Sequence, residues 1–523
     1  MPKLAQVNTD DIADAIRLGC RTMCSVFNAD DGGIPFFGSC VWPQPELSFN
    51  AYHSEAHVPG RHLNALLSAE DALGLALDEA CLDKHARAAF YSFSGPVALP
   101  LNREVLGGSL RVFLPHNIRE GWHALYALIR YRHSERARQV LAASLAAIDR
   151  YWDPERGWDK PELEGTLGLR LVEIEAPFIS GLARAIGPLV KIYRATGHGP
   201  ALGLALRLKD QALRAHFLPA GDYDRARLGA HIHSVTCVMS SLAQLADLTA
   251  DAPLLARVKA FYDNGLNDLR DGVGWALESS RPEANPDFGE VNTTGDILET
   301  ALILGRWGHV EYYGDAERIL RAHLLPSQLC DISFIPLPDN PAGADGKRDV
   351  ARRHQGAFGF PAPYGHRPLG LTQIGFNMDI VGGAVGSLCA AYAEIARRAP
   401  AGHVVNLLFD HETPELALQS PYTHAALQVT LKTPAPLFVR LPAGVAPSDI
   451  ALSGSEAPVQ ITNGYLFIEN LPVGAPLTIA FPLPESELVL RHRTRDIRVR
   501  LRGDQAVAMD NFGADWTFFD PID

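Results

Sequence analysis

The chain reads IREGWHALYALIRYR at residues 118–132 and, after His133-Ser134, ERARQVLAASLAAIDRY at residues 135–151. In both segments apolar side chains recur every three or four residues, which is the period of a helix with one buried face. The first segment is the more apolar and the second the more charged. Because only two polar residues separate them, we predict a helical hairpin.

The same pairing returns along the chain, at a spacing of about 50 to 65 residues that is typical of stacked helical hairpins. Thr9-Asp10-Asp11 can cap a first helix that runs to about Phe27, because a short side-chain oxygen accepts from the free N–H groups of a first turn. The other predicted helical segments are 63–90, 178–195 paired with 200–217, 232–248 paired with 253–269, 292–307 paired with 312–326, and a final apolar helix over about 378–398.

This count gives about eleven helices, one short of six hairpins. Six hairpins that close into a ring form an (α/α)6 toroid. Its inner helices have apolar residues on every face, and its outer helices have one face exposed to solvent. The longer loops all fall between hairpins, so in a toroid they gather at one rim, where a cleft would form. We therefore predict a toroidal catalytic domain over residues 1–402.

Beyond Pro400-Ala401-Gly402 the apolar period changes from helical to alternating. Short runs such as Val404–Phe409, Ala426–Lys432 and Tyr465–Ile468 are separated by Pro, Gly, Asn and Ser, a pattern typical of strands and turns. We predict a β-sandwich over residues 403–523. Its charges are ordinary surface charges, so its predicted role is structural.

Composition excludes several classes of protein. The 523 residues are 47% hydrophobic and carry 47 Lys and Arg against 60 Asp and Glu, a formal net charge of −13. Without a basic block the chain has no source of attraction for nucleic acid or for an anionic membrane. The N-terminus has no basic and apolar leader pattern, so we expect a cytoplasmic protein. A homodimer is one of the assemblies that the sequence leaves open.

The seven cysteines are scattered and form no CxxC pair. Neither a disulfide framework nor a zinc ribbon is therefore indicated, and we expect reduced, buried thiols. We also expect no metal and no cofactor. No GxSxG, P-loop or GxGxxG motif lies in the setting that its chemistry requires.

Polar residues cluster at the starts of apolar helices and in the rim loops, where carboxylates and imidazoles can exchange protons. In an extended chain His53, Glu55 and His57 would share one face, which could hold a metal or a sugar. The predicted catalytic residues are Glu278, Glu290, His231, His233, Glu175 and Asp379. The predicted substrate-binding residues are His53, Glu55, Arg61, His116, Asn117, Trp122, Asn292, Asn377 and His366. Each also has a structural interpretation, as a helix cap or as a satisfied core residue.

The order of several segments carries a family resemblance. These segments are the His231-Ile232-His233-Ser234 helix start, the stretch 275–296, the paired helices to Leu325, the glycine-rich stretch 376–398 and the tail from Val404 to Met509. Over residues 178–512 the chain resembles the β-L-arabinofuranosidases of glycoside hydrolase family 127 and their uncharacterised relatives. The resemblance implies an (α/α)6 barrel followed by β-sandwich material, and it implies that Glu278 lies roughly where the family has its acid/base glutamate.

The chain departs from that family at its metal site. The family has Glu-x-Cys before one inner helix and a Cys-Cys pair before a later one, and these residues bind zinc and supply a thiolate nucleophile. Here the matching positions read Glu290-Val291-Asn292 and Val381-Gly382-Gly383. The resemblance therefore implies that zinc and the thiolate are both absent, and that Glu290 alone is retained.

Paired carboxylates in a cleft are what glycoside hydrolysis requires, one to protonate the leaving oxygen and one to activate water or attack the sugar. We predict an exo-acting glycoside hydrolase with a carbohydrate as its partner. A uronic-acid substrate would suit the basic rim residues Arg61, His62, His116, Arg119, Arg227, His366 and Arg367, because guanidinium binds a carboxylate in bidentate fashion. The alternatives are a polysaccharide lyase with His231 or Tyr52 as base, a non-catalytic carbohydrate-binding protein, and a sugar epimerase.

Overall fold

The computed structural model describes residues 3–456, 458–491 and 494–522. Its α-helices are α1 Ile12–Met23, α2 Val58–Leu73, α3 Glu79–Ser92, α4 Ile118–Arg132, α5 Glu135–Tyr151, α6 Ile186–Thr196, α7 Gly199–Ala215, α8 Arg225–Leu228, α9 Ile232–Thr249, α10 Ala252–Ala260, α11 Val291–Arg306, α12 Glu311–Ile319, α13 Val350–His354 and α14 Met378–Ile395.

Six of these helices form a closed ring. In order around the ring, α2, α4, α6, α9, α11 and α14 each pack against the next, and α14 packs back against α2. Helices α3, α5, α7, α10 and α12 lie outside, each against the inner helix that precedes it in the chain. The inner helices are buried on nearly every side, as in α9, where Ile232 to Ala243 are buried without a break. This arrangement is the predicted toroid.

Helix α1 is the outer helix of the sixth pair, and α14 is its inner helix. Helix α1 packs mainly against α14, so the sixth hairpin is assembled from the two ends of the helical region. The predicted count was one short because the segment 63–90 is two helices. Gly74 ends α2 with φ of +63°, a left-handed conformation that glycine adopts without steric cost. Helix α1 also ends at Met23, earlier than the predicted Phe27.

The hairpin of residues 118–151 has the predicted boundaries. His133 closes α4 in the left-handed region, and the Ser134 side chain accepts from Ala137 N to begin α5. The segment predicted as a helix from 178 becomes regular only at Ile186, after a 3-10 turn over Leu182–Ala185. Helix α14 ends at Ile395, before the predicted 398, because a strand begins at the next residue.

Two small sheets lie within the rim loops, where no strands were predicted. Strands β1 Gly38–Trp42 and β2 Glu46–Ser48 pair with β8 Ile374–Asn377, which leads directly into α14. Strands β3 Leu101–Arg103 and β4 Leu110–Phe113 pair with β7 Arg170–Leu171. The two remaining strands of the helical region, β5 Trp152–Asp153 and β6 Gly157–Trp158, form a hairpin. The small sheets hold the rim loops over the ring.

The C-terminal region is rich in sheet. Its strands are β9 Ala396–Ala399, β10 Gly402–Val405, β11 His411–Glu412, β12 Leu416–Gln419, β13 Leu427–Leu431, β14 Leu437–Arg440, β15 Ala451–Ser453, β16 Gln460–Thr462, β17 Tyr465–Ile468, β18 Pro476–Ala480, β19 Glu485–Arg491, β20 Asp496–Arg502 and β21 Gln505–Met509. They form two five-stranded sheets and one three-stranded sheet. Alternate residues such as Leu427, Val429 and Leu431 are buried. A β-sandwich, and a domain boundary at residue 402, stay predictions.

One expectation about the cysteines is wrong. Cys24 and Cys81 form a disulfide, with 5.3 Å between their Cα atoms. Cys24 caps α1 and Cys81 lies in the first turn of α3, so the packing of two outer helices brings the two thiols together although 57 residues separate them. The other five cysteines are free.

One helix in the described residues, α14, is long and apolar enough to cross a membrane by length and composition. It is an inner helix of the ring, and 72% of its most apolar window is buried inside the protein. Its apolar character is therefore accounted for by packing in the toroid.

Helices α2 and α4 approach most closely at Gly60, and this contact gives a stability prediction. A Cβ at Gly60 would lie 1.7 Å from the backbone oxygen of Glu120. We expect Gly60→Ala to lower the free energy of unfolding by about 1–3 kcal/mol through overpacking, measured by urea denaturation. The matched control is Gly203→Ala in α7, where no atom lies within 4 Å of the new methyl group. An equal loss in both variants would contradict this account.

Candidate active site

A cavity of about 360 Å³ opens at the rim where the inner helices begin. His231 caps α9, Glu290 caps α11, and Asp379 lies in the first turn of α14. The wall is formed by Phe37, Tyr52, His53, His57, Leu114, His116, Val172, Ile174, His231, His233, Glu278, Glu290, Phe360, Asn377 and Asp379. The cavity therefore collects side chains that lie far apart in the sequence.

Eight of the predicted site residues line this cavity. They are Glu278, Glu290, His231, His233 and Asp379 of the predicted catalytic set, and His53, His116 and Asn377 of the predicted substrate-binding set. Three more lie directly behind the wall and contact it, namely Arg61, Asn117 and Asn292. These three residues position wall residues.

Four predicted residues do not line the cavity, and they correct the prediction. Glu175 is exposed on the rim and forms an ion pair with Arg281 at 3.0 Å. Trp122 is fully buried, and its indole N–H donates to Ser144 of α5, so its ring packs between helices and cannot face a sugar. His366 is buried beside the rings of Phe376 and Phe518.

The fourth is Glu55, whose misplacement has a local cause. Residues 51–57 form turns, in which His57 N donates to His53 O at 3.0 Å, so the chain here is not extended. One helical turn separates His53 from His57, which puts both in the wall. Glu55 points elsewhere, and its Oε1 accepts from Arg103 Nε at 2.5 Å. The predicted common face of the three residues is wrong because it assumed a strand period.

Main-chain pairing positions His231, Glu278 and Glu290 together. Ile232 N donates to Glu278 O, and Glu278 N donates to Phe288 O. Glu290 N in turn donates to Ala276 O. Three irregular antiparallel segments therefore lie side by side, and Glu278 and Glu290 project from the same face as diagonal neighbours.

Glu290 is held by donors on one oxygen only. Asn292 Nδ2 donates to Oε1 at 3.0 Å, and His233 Nδ1 lies 3.3 Å from the same atom. The second oxygen, Oε2, lies 3.6 Å from His231 Nε2. Oε1 is therefore held by Asn292 and His233, whereas Oε2 is available to the cavity.

Asp379 forms the second anionic centre. Its Oδ2 lies 3.2 Å from His57 Nε2 and 3.4 Å from Asn292 Nδ2, while its Oδ1 has no hydrogen-bond partner. Burial alone would raise the pKa of Asp379, but the hydrogen bond from His57 and the charges of His57 and Arg61 lower it to about 2. Asp379 is therefore ionised near neutral pH, and its Oδ1 is buried without a hydrogen-bond partner.

Glu278 has the opposite environment. Burial raises the pKa of its carboxyl, and the nearby Glu290 charge adds to that rise, while His231 and Arg281 oppose it. Two carboxyl groups in one cavity thus have pKa values that are displaced in opposite directions, which is how one site can hold an acid and a base together.

Two histidines of the wall, His53 and His116, can act as acceptors. Burial lowers the pKa of His53 to about 3 and lowers that of His116 well below its usual range, so both rings are neutral near neutral pH. His116 Nδ1 donates to Ser180 O at 2.8 Å, and His53 Nδ1 lies 3.0 Å from Asn50 Oδ1. Their Nε2 atoms are therefore the lone-pair nitrogens, suited to accept from hydroxyl groups.

A buried ion cluster lies beneath the cavity, and it was missed in the sequence. Glu120 Oε1 lies 2.9 Å from Arg184, 3.2 Å from Arg119 and 3.3 Å from Arg61. Burial opposes the charge of Glu120, but Arg184 and the other cations hold its pKa well below the usual range. The available signal was the Arg119-Glu120 pair beside His116. No feature of the sequence pointed to its partner Arg184, because the surrounding segment was predicted as an ordinary helix.

The wall also contains groups that could be considered as metal ligands. His231, His233 and Glu290 place ligand atoms within 4.8 Å of one another. However, Arg61 Nη2 lies 3.0 Å from His233 Nε2 and can only donate, so the His233 proton is on Nδ1, facing Glu290. In this arrangement the Nδ1 proton faces Glu290 and Arg61 occupies the lone pair on Nε2, so His233 has no free lone pair for a metal.

The zinc site implied by the family resemblance does not fit these residues. Asn292 replaces one cysteine, and its amide nitrogen faces Glu290. The resemblance places the cysteine pair at Gly382 and Gly383, and a Cβ at Gly383 would lie 1.9 Å from Asn292 Oδ1. The space for a thiolate is occupied by an amide, so no step below uses zinc.

Comparisons with known proteins find similarity only by structure. No family profile and no curated protein matches the chain. The β-L-arabinofuranosidase of family 127 from Geobacillus stearothermophilus T6 has a TM-score of 0.56 at 14% identity, with 94% of this chain and 80% of that chain covered. A second family 127 β-arabinofuranosidase has a TM-score of 0.56 at 12% identity, with 96% and 83% covered. These likenesses show a shared fold.

Proposed function

We propose that this chain is a glycoside hydrolase that removes a terminal neutral sugar, with Glu278 as general acid and Asp379 as the ionised partner. The observation that carries the proposal is the pair itself, because one cavity holds a carboxyl group whose pKa is raised and another whose pKa is about 2. Glycoside hydrolysis needs one group of each kind. The family 127 fold is consistent with this chemistry.

The roles follow from the surroundings of each group. Glu278 would give its proton to the glycosidic oxygen as the bond from that oxygen to the anomeric carbon breaks. Asp379, which lines the cavity and is ionised, would support attack on the anomeric carbon, directly or through water. Asn292 bridges Asp379 and Glu290, so it fixes the relative positions of two wall carboxylates.

The cavity favours a neutral sugar over the uronate expected from the sequence. Among the residues described, the wall contains no arginine or lysine. Arg61 and Arg119 lie beneath it and are paired with Glu120, and Arg367 is paired with Asp515. A uronate carboxylate would meet Asp379 and Glu290 without a guanidinium to balance them. The same absence disfavours a lyase, which needs the substrate carboxylate neutralised.

An exo mode of action fits the shape of the site. Asp379, His233 and Glu290 are each at most 6% exposed and close one end of the cavity. A chain end can enter such a pocket, whereas the middle of a long glycan needs an open groove. Neutral His53 and His116 would then accept hydrogen bonds from the hydroxyl groups of the terminal ring.

The test is a panel of aryl glycosides of neutral sugars and uronates, together with neutral oligosaccharides labelled at the reducing end. We expect release of a neutral monosaccharide from the unlabelled end and no turnover of uronates. Asp379→Asn enzyme purified in the same way controls for contaminating hydrolases. Ultraviolet absorbance from an unsaturated product would instead indicate a lyase. Sugar binding without any turnover would contradict the proposal.

A further inference from the structure

The cavity changes from polar to apolar between its floor and its mouth. The floor residues His233 and Asp379 are 2% and 4% exposed, whereas Ile174 at the mouth is 36% exposed. The mouth also contains Val172 and Phe360, which are half-buried. Large apolar side chains left open to solvent at the entrance of a binding site mark a place where an apolar group binds.

This apolar rim lies on the same side of the cavity as Glu278. Glu175, one residue after Ile174, forms an ion pair with Arg281, which follows the Glu278 segment. A second link to the Glu278 segment runs through Phe360. Its ring stacks on Phe288 with 4.7 Å between ring centroids, and Phe288 O accepts from Glu278 N. The general acid protonates the oxygen of the leaving group, so a rim attached to its segment flanks the leaving group.

The side chains of the rim also discriminate among ligands. Val172 and Ile174 are branched aliphatics, and one face of the Phe360 ring is covered by Phe288. The two aliphatics have no π face on which a second sugar ring could stack, and none of the three side chains offers a hydrogen bond to a hydroxyl group. A second sugar at this position would leave its hydroxyl groups against hydrocarbon.

We infer that the rim formed by Val172, Ile174 and Phe360 is a subsite for an apolar aglycone, so that the substrates are sugars linked to alkyl or aryl groups. This inference rests on the proposed function. The floor selects the sugar through neutral imidazoles and carboxylates, and the rim binds the leaving group by removing apolar surface from water.

The test is a series of n-alkyl glycosides from ethyl to hexyl of the sugar that the panel identifies. Leaving-group acidity hardly changes along this series, so a trend in kcat/KM reports binding of the alkyl chain. We expect kcat/KM to rise about three- to fourfold per methylene until the rim is filled. Val172→Ser and Ile174→Ser should each reduce the increment to less than about twofold. Leu337→Ser, at an exposed position outside the cavity, is the control.

The outcomes separate this inference from the proposed function. Equal increments in the parent and the rim variants, or turnover that is independent of chain length, would overturn the subsite. If no glycoside is hydrolysed and the panel identifies no sugar, n-alkyl glucosides from ethyl to hexyl are titrated calorimetrically into Asp379→Asn protein. Affinity that rises with chain length would then support the subsite and reject only the hydrolase, whereas flat affinity would overturn the subsite as well.

Discussion

Asp379→Asn is expected to lower kcat/KM by about a thousandfold or more, at the upper end of what one acid–base group contributes. The substitution keeps the size of the side chain but removes the charge that supports attack on the anomeric carbon. Rates are measured on the best aryl glycoside of the panel. The contact with Asn292 would also change, because an amide would then face an amide.

The matched control is Asp14→Asn, an exposed acid in the first turn of α1 that lies outside the cavity wall. We expect its kcat/KM to stay within about twofold of the parent, in line with surface substitutions generally. Circular dichroism and the melting temperature show whether Asp379→Asn protein remains folded. A folded variant that retains more than a tenth of the parent activity would remove Asp379 from the mechanism.

Glu278→Gln is expected to lower kcat/KM by about a hundred- to ten-thousandfold on alkyl glycosides. The loss should be far smaller on dinitrophenyl glycosides, because their leaving groups depart without protonation. Burial raises the pKa of Glu278, and the parent needs this group protonated. Activity of the parent should therefore fall as pH rises through that pKa, and Glu278→Gln should lack this alkaline decline.

The measurement is kcat/KM against pH for both leaving groups, in the parent and in Glu278→Gln. An equal loss on both substrate types would indicate that Glu278 positions the substrate and does not transfer a proton. Retention of the alkaline decline in the variant would assign it to another group of the wall.

The helical part of the fold could be read from periodicity because each hairpin is a local structure. The boundaries of α4 and α5 follow from apolar spacing and from a serine cap, both of which are local signals. The pairing of α1 with α14 has no such signal, because it depends on how the whole ring closes. The β1–β2–β8 sheet was missed because its strands are short and because β8 is far in sequence from the β1–β2 hairpin.

The site was predictable where chemistry sits at the start of an inner helix. His231, Glu290 and Asp379 were identified on that basis and they line one cavity. The direction of a side chain was harder to predict, because the neighbouring residues in the sequence do not show which way a turn points that side chain. Glu55 and His57 are two residues apart, yet one binds Arg103 and the other contacts Asp379. Trp122 was misplaced because an aromatic at a helix start suits a core as well as a sugar.

The pairing of α1 with α14 also constrains how the molecule folds. Because its main partner is the last inner helix, α1 cannot complete its packing until nearly the whole helical region that follows it has emerged. Contacts between such distant segments slow folding, since the chain loses entropy before those contacts form. Until α1 packs against α14, the ring of helices is incomplete and its two ends are exposed. These ends need protection from aggregation during synthesis.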